Sequence, residues 1–175
     1  MSNIDRLAYN RAGQLFMAAN VAAKTVSLVS TTATGVLLYN PVGSNKTLYV
    51  VDYGFAWTTV PAAVHKIGLA YMAPNITAPT SLTAIGSGVV SGNGSGNAGN
   101  SVARAYDAAT LPVAPVAMRW AFGAAWITGG TGEAPYGPFV DYVDGAIAVA
   151  AGGLVQIVGE TTSPIGVGFI SWIEI

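Results

Sequence analysis

Cysteine is absent from the 175-residue chain, so neither a disulfide framework nor a thiolate metal site can form. Histidine occurs once, at His65. A histidine-rich metal centre is therefore excluded, and any Ser-His-Asp or Cys-His machinery would have to be built around that one ring. Charge is scarce as well. Seven Lys and Arg stand against eight Asp and Glu, together 9% of residues, where a soluble domain carries about 25%. The cations are scattered and the net charge is −1, so there is no electrostatic footprint for nucleic acid. No uninterrupted apolar stretch reaches the roughly 18 residues that a membrane helix needs. The best candidate, 146–158, is broken by Gly152, Gly153 and Gln156. The opening MSNIDRLAYNRAGQ shows no basic-then-apolar order, so neither a membrane span nor a Sec signal is expected.

What is present is apolar. Hydrophobic residues make up 52% of the chain and the mean hydropathy is +0.51. A chain of this length is one domain's worth and buries roughly 70% of its unfolded surface, so it needs no staples. Apolar surface without charge is a solubility hazard unless something covers it. With no membrane span in view, the expected cover is protein.

The pattern is that of strands. In the strand expected at 46–58, alternation places Tyr49, Val51, Tyr53, Phe55 and Trp57 on one face, either a core wall or a wall against another subunit. The preceding connection, 40–45, is rich in turn formers. Pro41 fixes φ, Gly43 tolerates positive φ, and the Asn and Ser side chains can bond the local backbone. Further strands are expected at 14–18, 24–30, 35–39, 64–72, 81–85, 102–106 (an edge, with Arg104 pointing out), 116–127, 139–143, 154–158 and 165–175. Asp144-Gly145 reads as a turn. The Gly/Ser/Asn stretch 86–101 reads as a flexible excursion, and 128–138 as a second long polar loop. With Gly and Pro turns throughout and no long amphipathic helix, the chain is read as all-β. The specific expectation is a jelly-roll-type antiparallel sandwich of about eight strands over 24–175, with an extended N-terminal arm over 1–23.

Catalytic constellations fail on inspection. His65 sits in an alternating strand beside Lys66, with no nucleophile elbow anywhere. Asp141 and Asp144 are the closest acidic pair, but a calcium loop needs more carboxylates and a closing Glu. Nothing selects a glycosidase pair among the eight acids. Gly92-Asn93-Gly94-Ser95-Gly96 lacks the Lys and the following helix of a phosphate loop. No enzyme activity, cofactor or metal is expected. Interface candidates are instead Leu7, Tyr9, Arg11 and Phe16 on the arm, Tyr49, Tyr53 and Trp57 on the aromatic wall, and Tyr136 between Pro135 and Gly137 on the exposed loop.

Two stretches carry a resemblance: 35–57, GVLLYNPVGSNKTLYVVDYGFAW, and 144–175, DGAIAVAAGGLVQIVGETTSPIGVGFISWIEI. The first holds Tyr39-Asn40-Pro41, Gly43-Ser44, Lys46 and Leu48-Tyr49-Val50 in a hairpin-like run. The second closes on Trp172-Ile173-Glu174. Both resemble the jelly-roll head decoration, or cement, proteins of tailed bacteriophages. The likeness covers about a third of the chain and is structural, so it transfers no functional residue. It implies a homo-oligomer, commonly a trimer, made in the host cytoplasm and placed on the capsid exterior, where it clamps neighbouring subunits of the major capsid protein. The alternative expectation is the trimeric receptor-binding head of a phage fibre, contacting host glycans through 128–138.

Overall fold

A computed structural model describes residues 3–59, 65–92, 97–124, 139–160 and 164–175. Among these residues one short α-helix, α1 (Asn3–Arg11), precedes twelve strands: β1 (Leu15–Ala19), β2 (Lys24–Thr25), β3 (Thr32–Tyr39), β4 (Leu48–Trp57), β5 (His65–Met72), β6 (Thr80–Ala84), β7 (Val90–Ser91), β8 (Arg104–Thr110), β9 (Val116–Ala124), β10 (Phe139–Val149), β11 (Leu154–Gly159) and β12 (Ile165–Glu174), with a 3-10 turn (Asn97–Asn100) between β7 and β8. The strands form two antiparallel sheets. The first runs β10–β4–β12–β1–β7, with β2 continuing beyond β1 alongside the start of β12; the second runs β6–β8–β3–β11–β5–β9. Val50, Tyr53, Phe55, Ile170 and Trp172 of the first sheet face Val36, Leu38, Ile67, Leu69 and Ile157 of the second in one buried core. The fold is therefore an all-β sandwich.

Residues 15–19 do not extend away from this body as an arm. They are a strand inside the first sheet, between β12 and β7. Phe16 stacks on Trp172 across the β1–β12 pair, ring centroids 6.1 Å apart. Its alternation with Ala18 places two small-and-large apolar groups on the core face.

The aromatic strand β4 departs from simple alternation. Ser171 lies opposite Asp52, but Trp172 lies opposite Val50, which leaves Val51 as an inserted residue. Such a bulge moves every later side chain to the other face. Leu48 and Val50 point into the core before it, and Tyr53 and Phe55 after it. Tyr49 and Val51 consequently do not share a face with Tyr53, which corrects the alternation read from the sequence.

The connection 40–47 is likewise not a hairpin. It passes from the second sheet to the first, because β3 and β4 do not pair. The turn chemistry is as expected. Gly43 and Asn45 have φ of 75° and 55°, and Ser44 Oγ meets the Lys46 backbone at 3.4 Å. The buried Asn40 amide donates to the carbonyls of Lys46 and Val149, both at 2.8 Å. Asp144-Gly145 is not a strand-ending turn. With φ of 53° and 80°, the pair sits in an irregular step within β10, opposite the β4 bulge.

A second, smaller cluster lies on the outside of the second sheet: Leu37, Tyr39, Met72 and Leu154 with Leu111. Its cover follows from topology. The chain leaves β8 on one side of β3–β11–β5 and enters β9 on the other. Of the proline-punctuated Leu111–Pro115 segment that makes this connection, Leu111 and Pro115 are buried, and Leu111 joins the cluster.

Candidate interaction surface

The charged side chains hold strands together. Arg119 of β9 forms a bidentate pair with Asp141 of β10, at 2.6 and 2.8 Å, joining the margins of the two sheets. Lys24 pairs with Asp107 at 3.2 Å, and Lys66 with Glu160 at 2.8 Å. Glu174 is buried, and among the described residues no cation pairs with it. Its carboxylate accepts from Ser101 Oγ at 2.5 Å, the amides of Val102 and Ala103 at 3.0 and 3.3 Å, and Trp172 Nε1 at 3.0 Å. Burial, reinforced by the nearby Asp141 carboxylate, pushes the Tyr53 hydroxyl well above the usual tyrosine range. Among the described residues no three metal-capable side chains come together, and no helix is long and apolar enough to cross a membrane.

A concave feature lies on the outer face of the first sheet. A groove of about 180 Å³ is lined by Ala19, Phe55, Ala56, Phe139, Val140, Val167 and Phe169, with Asn20 and Gly168 at one end. The polar atoms of Asn20 are already engaged. Its amide nitrogen donates to Asp107 at 2.5 Å, and its oxygen accepts from the Gly168 amide at 3.3 Å. No free donor, acceptor or charge is thus presented by the lining side chains. Gly54 packs under the groove without space for a side chain, because a Cβ there would strike the Phe169 ring and come within 2.7 Å of the Phe139 carbonyl. Outward from the groove, Val140 is 43% exposed and Tyr142 59%. What such a surface can do is exclude water against another apolar surface.

The sequence-based candidates fall in different places. Phe16 and Tyr53 are core residues, 2% and 0% exposed, and so cannot present themselves to a partner. This corrects their assignment as interface residues: β1 is a sandwich strand, and the β4 bulge turns Tyr53 inward. Trp57 is half-buried, 5.4 Å from Phe55 and 5.8 Å from Phe139 between ring centroids. Tyr49 is half-buried opposite Ile173. Leu7 and Arg11 are exposed on α1, with Tyr9 half-buried between them. Tyr136 and the whole of 128–138 lie outside the described residues, and His65 is placed only as the first residue of β5.

Val140, Val167 and Phe169 were not singled out by sequence reasoning. A signal existed: β12 reads Ile-Gly-Val-Gly-Phe-Ile-Ser-Trp-Ile, with Val167 and Phe169 at period two and Ile170 and Trp172 on the opposite parity. A strand with large apolar groups on both faces requires cover on both.

No protein-family model, curated protein or solved structure matches this chain.

Proposed function

We propose that this protein is a capsid cement, a virion structural protein of a tailed bacteriophage that binds the outside of the head and clamps neighbouring subunits of the major capsid protein. The observation that carries the reading is the uncharged apolar groove and its exposed margin, Val140 and Tyr142, on the outer face of the first sheet. A side chain of a capsid subunit fills the groove, and the surrounding sheet excludes water. The jelly-roll description draws support from the strand path. Successive strands β3–β4–β5 and β9–β10–β11–β12 alternate between sheets, and β3–β11–β5–β9 are neighbours in one of them.

Magnitude bears on oligomer order. Several hundred Å² of apolar contact contributes on the order of 10 kcal/mol gross, while association costs about 4–15 kcal/mol. One such patch is marginal. Three patches on a homotrimer, engaging a lattice together, bind through effective concentration. The test is co-sedimentation with heads that lack the protein. Wild type pellets with them, and Val140→Asp, which sets a charge at the groove margin, stays in the supernatant. Equal pelleting of both would remove the groove from the account.

A further inference from the structure

Helix α1 covers the other half of the same face. It leads into β1 through Gly13 and Gln14, whose amides donate to the Asn10 and Tyr9 carbonyls at 3.0 Å. Toward its start, Arg6 reaches β4 and β10. Its guanidinium pairs with Asp52 at 3.1 Å and Asp144 at 2.7 Å, and lies 5.0 Å from the centre of the Tyr142 ring. Asp52 also accepts from Ser171 Oγ. Nine residues of helix span about 13–14 Å, close to three strand spacings of about 4.8 Å each. That is the distance from β1 over β12 and β4 to β10. Val51 of β4 and Ile173 of β12, two of the strands on this path, are 1% and 0% exposed and belong to neither apolar cluster. A helix this short is marginal in isolation, so α1 is helical because it is docked.

We propose that α1 is a displaceable cover, latched by Arg6, and that lifting it joins the face around Val51 and Ile173 to the open groove as one continuous docking surface for the capsid subunit. The docking half of this proposal rests on the function proposed above; the latch does not.

Hydrogen exchange on the full free chain tests the latch without any capsid. In Arg6→Ala, the amides of 7–11 are expected to exchange at least about tenfold faster, the change carried by one charge-assisted hydrogen bond, while those of Ile157 and Val158 in β11 hold their wild-type rates. About 1 M salt, where the screening length falls to about 3 Å, moves wild type in the same direction and moves Arg6→Ala less. Asp144→Asn gives a smaller shift of the same kind. Unchanged α1 exchange in Arg6→Ala, or parallel acceleration in β11, would overturn the latch. Head binding tests the second half: Arg6→Ala is expected to bind heads more tightly than wild type, and a loosened helix with unchanged or weaker binding would refute the joined surface. Val140→Asp keeps the two readings apart, since it abolishes binding through the groove whether or not α1 moves.

Discussion

The outer faces of the two sheets are built from similar residues and finished differently. On the second sheet, Leu37, Met72 and Leu154 are sealed by the chain itself, with Leu111 and the crossing segment laid over them. On the first, α1 lies over one half, and the other half, from Ala19 across Phe169 to Val140, stays open around its groove. The contrast teaches that this chain is able to close an apolar face with a single extended segment. The open half has no charge or free polar atom among its lining side chains, so its exposure is a cost in water. In the function proposed above, a capsid subunit would supply the cover that the second sheet finds within its own chain.

Substitutions on the two faces break or sharpen this contrast. Leu37→Ala, on the sealed face, is expected to lower unfolding stability by about 2–5 kcal/mol in denaturant titration, because Leu37 is fully buried in its cluster and its loss leaves a cavity. Gly54→Ala, under the open groove, is expected to cost about 1–3 kcal/mol, since the new Cβ displaces Phe169. It also reshapes the groove floor, so head binding falls with it.

Between the faces, tyrosine titration gives a pH signature. The Tyr53 hydroxyl is raised in the fold. Its contribution is fully present below the unfolded value of about 10 and is lost as pH rises beyond it, because the unfolded chain ionises first. Tyr106, beside the sealed cluster, is also raised by burial. Stability measured from neutral to strongly alkaline pH should therefore fall above about 10, and Tyr53→Phe should make that fall shallower. The smallest effect belongs to Val140→Asp, expected to stay within about 0.5 kcal/mol of wild type in unfolding while losing head binding. A large loss of stability there would mean that the open face is structural after all.

The same contrast shows what the sequence could reveal. Strand existence was legible wherever alternation met turn residues: β5, β11 and β12 lie within a residue or two of their expected bounds. The Asn40–Asn45 chemistry was legible because it is local. Pairing was not. The segment 24–30 yields only the two-residue β2, since the chain then turns between sheets, and β8 is flanked by β3 and β6 instead of forming an edge. The bulge at Val51 was hidden because an inserted residue is defined by the partner strand, not by the strand that carries it. Tyr53 was misplaced for that reason and Phe16 because the pairing of β1 between β12 and β7 is not local, while β10 continues through Asp144-Gly145 because its irregular step answers the bulge opposite. Part of the Gly-rich stretch is ordered too, as β7, where Val90 and Ser91 pair with β1. The groove depends on β4, β10, β12 and the end of β1 meeting, which no single segment announces.

In the proposed function the open half of the first sheet is buried by a capsid subunit. A reconstruction of the assembled particle is the decisive measurement: this sandwich is expected on the head exterior with Val140 and Phe169 facing a major capsid subunit. A particle in which that face looks into solvent, or from which the fold is missing, would contradict it.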